Sequence, residues 1–298
     1  MATTYSTNLS DLLDPSFKEI MDLDWAIPME YTQVLKTMNT DRESTKFSAI
    51  AGIGAAQQNL EGDTINSSLI RQGFDVTATQ IGYAAGVELH DDLVKFDLYG
   101  NAKDAFRHVS RSMRVATETN AAKLFNEGFA TSRTGGDGAA LLSSAHLRED
   151  GGPNENNILG TASDLDITAY RDAWIDFMDM RDGNGDRINL APTKLITPNA
   201  TNSFIAKEIL KSTDRPDTTN RATNIHQGEV QPVIWSYLTD ADSWYFTSPG
   251  MNVYVLWSQQ PDKKTDYDVR NRVSIFNSRM LLALFWKDWR GVYGTPGA

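Results

Sequence analysis

The chain has 298 residues, 40% of them hydrophobic, 10% aromatic and 22% charged, which excludes a disordered or fibrous protein and allows a sizeable core. A formal net charge of −11 argues against gripping nucleic acid through the overall field, though not against lining a container for it. With no cysteine there is no disulfide, thiolate metal site or cysteine nucleophile.

The first residues, MATTYSTNLSDLLDPSF, lack a basic start followed by an apolar run, so no signal peptide is expected. No apolar stretch is long enough to cross a bilayer, and the expectation is a protein made and kept in the cytosol. Residues 1 to about 30 read as an arm with a short helix at Pro15–Met21. Its apolar side (Leu12, Leu13, Phe17, Ile20, Met21) needs a partner, either the chain's own body or a neighbouring subunit. From Lys46 to Leu89, Gly52, Gly54, Gly62, Gly73, Gly82 and Gly86 punctuate threonine-rich and β-branched segments. This predicts an extended hairpin, polar on both sides and short of anchors, which is marginal alone in water and needs support from outside itself.

Residues 98–129 form the stretch around which the chain is organised. Leu98, Ala102, Ala105, Val109, Met113, Ala116 and Leu124 recur at steps of three and four, with Asn120 the polar intruder. A helix of that length would run roughly 48 Å. Asp91 and Asp92 lead into it, where acids suit the helix dipole. A second helix is expected over 166–180, with Ile167, Tyr170, Trp174, Phe177 and Met178 on one face. Asp182–Asp186 makes a tight turn, a strand follows over Ala191–Pro198, and Asn199 or Thr201 caps a helix through Lys211. Residues 212–228 read as a loop. Strands are expected at Val230–Tyr237, Ser243–Thr247 and Met251–Trp257, then a late segment, Tyr267–Trp286, that is apolar on both faces and so central in a sheet. The class is α+β.

Chemistry is hard to find. His90, His108, His146 and His226 are scattered, with no partner at metal-ligand spacing. There is no nucleophile elbow, P-loop or dinucleotide fingerprint. Asp182, Asn184 and Asp186 alternate like the start of a calcium loop, but Arg187 stands where its glycine belongs and Thr193 where its glutamate belongs. No catalytic, cofactor-binding or metal residue is assigned. Arg107, Arg111 and Arg114 share one face of the long helix, either as a solvated stripe or facing acidic surface on another subunit.

The order of parts resembles the coat-protein fold of tailed bacteriophages, the Hong Kong 97-type fold, and several motifs are similar to the Mu-like major head subunit family. These are DGAALLSSAHL at 137–147, the Gly/Asn-rich loop ending at Asn156-Asn157, Pro192, Leu195 and Pro198, and Leu238-Thr239-Asp240 with Trp244-Tyr245. The resemblance covers roughly residues 70–250. It implies an N-terminal arm and entry to the peripheral domain over 1–45, an extended loop over 46–92 and a peripheral domain with the spine helix over 93–189. An axial domain over 190–262 and return strands over 263–298 complete it. It also implies a major capsid protein assembling as pentamers and hexamers into an icosahedral shell that encloses double-stranded DNA without sequence-specific binding. Scaffold, portal and decoration proteins would be its partners, the virion its location and the host cytoplasm its place of assembly. Some relatives begin with a scaffolding domain; this sequence starts at the arm, so a separate scaffold is expected. On this reading the arm and the ribbon are held by sibling subunits and not by their own chain, and candidate subunit-contact residues are Arg107, Arg111, Arg114, Phe74 and Tyr83. Some relatives form an isopeptide cross-link from a lysine in the extended loop, but there is no lysine between Ala51 and Val94, and no such link is expected. The alternatives are an encapsulin-type nanocompartment and, from another class, a soluble hydrolase with a pocket at His146 and loop 131–157 as its lid.

Overall fold

The computed structural model describes residues 9–52, 54–56, 58–61, 64, 71–96, 100–215 and 222–298. In chain order the elements are α1 (Leu9–Ala26), a 3-10 turn (Glu30–Gln33), β1 (Lys36–Asn39), β2 (Ser44–Ala51), β3 (Arg71–Thr79) and β4 (Ile81–His90). Then come α2 (Asp91–Lys95), α3 (Asn101–Asn126), α4 (Ile167–Met178), β5 (Lys194–Thr197) and α5 (Thr201–Lys211). β6 (Gln231–Ile234), β7 (Trp244–Thr247), β8 (Asn252–Gln259), β9 (Lys264–Asp268), β10 (Val273–Asp288) and β11 (Val292–Thr295) complete the chain.

β10 is the middle of the largest sheet. Its first half pairs antiparallel with β4 and β9 and its second half with β8, while β1 adds parallel to β8 at the edge. Central strands need both faces apolar. Here Phe276, Met280 and Leu282 point to one face, and Ala283 and Phe285 to the other. The late segment expected as a single strand is divided by a turn at Val269–Arg272, where Arg272 has φ 53°. A second sheet, ordered β11-β7-β5-β6, is buried along all of β7 and β11. Tyr170, Trp174 and Phe177 of α4 crowd around Phe246 at ring centroid distances of 5.1, 6.1 and 6.4 Å.

α3 is shorter than the expected helix. Gly100, at φ 76°, sets its start, Asp91 and Asp92 belong to the separate α2, and Leu98 lies outside the described residues. At 26 residues α3 is about 39 Å long. Its buried stripe is wider than the alanine-rich spacing implied, taking in Phe106, Ala121, Ala122 and Phe125. Asn120 is accounted for: its Oδ1 accepts from the Tyr83 hydroxyl at 3.0 Å and its Nδ2 donates to the Ala116 carbonyl at 2.6 Å. The cap of α5 differs as well. The N-cap is Ala200, with no side-chain hydrogen bond from Asn199 or Thr201.

The arm helix extends beyond Pro15–Met21, and α1 docks on its own chain. Phe17, Phe106 and Phe276 form a closed triad with centroids 4.6 to 5.5 Å apart, and Phe17 and Met21 are fully enclosed. Arg114 Nη1 donates to the carbonyls of Asp24 and of Ile27, the latter at 2.9 Å, fastening the helix's far end. Removing a fully buried phenylalanine ring costs about 3–5 kcal/mol. Phe17→Ala should lower chemical-denaturation stability by that order and speed amide exchange across 9–26. A loss under about 1 kcal/mol would mean that the triad does not hold α1.

Candidate functional site

No cluster of three or more metal-ligating side chains occurs among the described residues, and none of their helices is long and apolar enough to cross a membrane. Asp182 is committed to its turn, its Oδ1 accepting from the backbone N–H of Asn184 at 2.8 Å and of Asp186 at 2.9 Å. His146 is fully buried, its Nδ1 2.6 Å from Asp137 and its Nε2 3.1 Å from Asn157 Oδ1, with its ring stacked on Trp289 at 4.2 Å. Asn157 Nδ2 donates to the carbonyls of Leu141 and Val292, and the Asn157 carbonyl accepts from Gly294. The DGAALLSSAHL motif and the Asn-rich loop are thus one buried polar knot that ties loop 137–157 to the C-terminal strand. A side chain sealed in this way has no room for a substrate.

What the chain does present is surface. The ribbon β2–β3 has a register shift between Ser48 and Ile50, and Gly73 comes so near that a Cβ there would sit 3.0 Å from Ala49 Cβ. Its root lies on the odd-residue face of β10. Phe47 stacks on Phe285 at 4.6 Å and 9°, Lys287 Nζ sits 4.4 Å above the Phe47 ring, and Val76 and Ala78 pack on Leu256 and Ala283. Lys46 and Asp75 pair across the strands at 2.6 Å. Beyond β2, Asn184 Nδ2 donates to the Gly52 carbonyl at 2.7 Å and Ala55 N–H to Asp186 Oδ2 at 3.1 Å. The expectation of a ribbon without support in its own chain is therefore corrected at its root. β4, expected within that hairpin, instead forms a ten-residue ladder with β10. Gly62 and residues 65–70 lie outside the described residues.

The five candidate contact residues separate accordingly. Tyr83 is held by Asn120, and Phe74 is half-buried against the 135–137 loop, where a Cβ on Gly136 would come within 2.8 Å of it. Arg114 is spent on α1. Arg107 and Arg111 are exposed, the first paired with Asp104 at 2.7 Å. Exposed apolar side chains include Ile50 on the ribbon, Val115 on α3, Ile175 and Met178 on α4, Phe204 on α5 and Val269 at the β9–β10 turn. Ile175, Met178 and Trp174 line an open groove of about 700 Å³ with Asp179 and Arg187.

One junction escaped sequence reasoning. Glu118, 4% exposed, accepts from Tyr31 N–H at 3.2 Å and from Trp235 Nε1 at 3.2 Å, joining α3 to the end of the arm and the end of β6. The signal was present in phase, since Glu118 continues the row of Arg111 and Arg114 by seven and four residues.

The arrangement of spine helix, docked arm, ribbon and two sheets matches known coats. The structure is similar to the capsid of a native GTA particle (TM-score 0.59, 13% identity, 90% of each chain covered). It is also similar to the mature capsid of bacteriophage PhiM1 (0.59, 11% identity, covering 90% of this chain and 86% of that one). A virus-like particle from Pyrococcus furiosus aligns with TM-score 0.57 at 8% identity, covering 94% of this chain and 98% of that one. These likenesses show the Hong Kong 97-type fold. A family model described as phage capsid protein matches residues 74–295, and the chain belongs to that family. No curated protein matches. The chain is thus a major capsid protein, a structural subunit.

Two measurements test them. Phe47→Ala should raise amide exchange in 44–51 and 71–79 while leaving α3 unchanged; unchanged exchange in the ribbon would mean the Phe285 stack does not anchor it. Burial holds the Glu118 carboxyl above its ordinary value of 4.5, against the hydrogen bonds from Trp235 and Tyr31. A raised folded-state value favours the fold below pH 4.5, and that contribution is lost as pH rises through the shifted value. The stability of Glu118→Gln relative to the parent should therefore improve as pH rises from 4.5 through the raised value and then level off. A difference that stays flat across that range refutes the assignment.

Proposed function

We propose that this major capsid protein assembles as pentamers and hexamers into an icosahedral shell around double-stranded DNA, in the host cytoplasm, with scaffold and portal proteins as partners. The family match over residues 74–295 carries the reading. The division into an extended loop (46–92), a peripheral domain (93–189) and an axial domain (190–262) is part of it. In its favour, β5, β6 and β7, with α5 packed on β5 and β6, belong to a sheet separate from that of β10. The kinship to the Mu-like group rests on the 137–147, 192–198 and 238–245 motifs. Subunit contacts are assigned to the exposed apolar side chains Ile50, Ile175, Met178, Phe204 and Val269, which a lone chain would leave wet. The absence of lysine from 52–93 supports a shell without isopeptide links from the ribbon.

Negative-stain microscopy of the purified chain should show closed shells or capsomer rings, and denaturing electrophoresis of those particles a single band. Ile175→Asp/Met178→Asp should block particles while leaving a folded subunit. A monodisperse monomer at high concentration refutes the shell, and a ladder of covalent oligomers refutes the absence of cross-links.

A further inference from the structure

The molecule has two unlike faces. α3 packs on β4 and β10 through Phe276, Met280 and Leu282, while the ribbon packs on β8 and β10 through Leu256, Ala283 and Phe285. Alternate residues of a strand point to opposite sides of its sheet. The outer side of α3 and the ribbon therefore lie on opposite faces of the subunit. On that outer side Lys103, Arg107 and Arg111 follow one another at four-residue steps, all exposed, spanning about 12 Å. Among the described residues Lys103 and Arg111 make no ion pair, and Arg107 pairs only with Asp104 of its own helix. Exposed His108 and Ser112 flank the row. The acids of α1 nearby are partly neutralised, Asp14 by Lys18 and Asp22 by Lys263, with Glu19 left exposed.

Two partners fit a row of cations: a polyphosphate, or acidic protein surface. Composition decides between them. Protein interfaces concentrate aromatic and apolar side chains and deplete lysine, and this row has a lysine, two arginines and no aromatic residue. Among the described residues α3 exposes one large apolar side chain, Val115, one turn beyond Arg111 and 39% exposed; the more exposed Ile50, Ile175 and Phe204 belong to other elements. Arginine, lysine and serine side chains are the usual partners of phosphate oxygens, which they contact without reading bases. In a chain of net charge −11, an exposed cationic row has a specific use where a dense polyanion lies against it.

We propose that Lys103, Arg107 and Arg111 form the face of the subunit that lies against duplex DNA, contacting phosphates non-specifically, so that the α3 side looks into the shell and the ribbon side away from it. This rests on the shell reading above. Its test is direct. The unassembled full-length chain is titrated against a fluorescent duplex of about 30 base pairs, between about 50 and 200 mM salt. Each phosphate contact contributes about −0.9 to the slope of log affinity on log salt, so three contacts predict a slope near −2.7 and a roughly 40-fold loss over that range. Lys103→Gln/Arg107→Gln/Arg111→Gln should bind at least tenfold more weakly at the lowest salt, with most of the slope gone. Lys211→Gln, on the exposed end of α5, should bind like the parent. Equal affinity and slope for parent and triple variant overturn the proposal. So does a triple variant that keeps its DNA affinity but no longer forms particles, which would make the row a subunit contact. Particle formation is scored by microscopy on the same preparations, so a parent that binds DNA through this row yet never assembles counts against the shell and not against the row.

Discussion

Everything in this subunit is arranged by β10. A sixteen-residue strand that pairs with β4 and β9 over its first half and with β8 over its second is the strand on which the largest sheet is built, and its side chains must be covered on both sides. The arm helix and α3 cover one side through the phenylalanine triad, and the ribbon root covers the other through Phe47 on Phe285. These peripheral pieces are the two walls of one strand's burial.

Much of this was legible in the chain, and the reasons are local. The period of α3 and the doubly apolar run Met280–Trp286 are written in adjacent residues, so a strong helix and a central strand could be read directly. The four-residue strands β1 and β11 left no such mark, because their order comes from distant partners, β8 and β7. The premise that arm and ribbon lack support in their own chain failed for the same reason. Nothing near Phe47 announces Phe285, and nothing near Phe17 announces Phe276. The conclusion drawn from that premise survives on other ground, the family match and the shared coat fold.

The surface was less legible than the fold. Tyr83 and Phe74 are aromatic residues in a segment that reads as exposed, yet both face their own body. Arg114 sits in phase with Arg107 and Arg111 but points at the carbonyl end of α1, which a helical wheel does not reveal. Glu118 shows the converse. An acid buried between Tyr31 and Trp235 locks three elements together at the expense of desolvation, which is why its proton is held more tightly than usual.

The knot around Asn157 gives loop 137–157 an unusual mechanical character. Its ends are joined through His146, Leu141 and Val292, while Asp150 and Gly151, with Gly151 at φ 77°, sit at an exposed turn outside that closure. Cutting the backbone at this turn would separate two stretches that remain clamped to the same asparagine. Covalent and structural continuity part company there, which makes the turn a natural doorway for grafting a foreign peptide onto the particle.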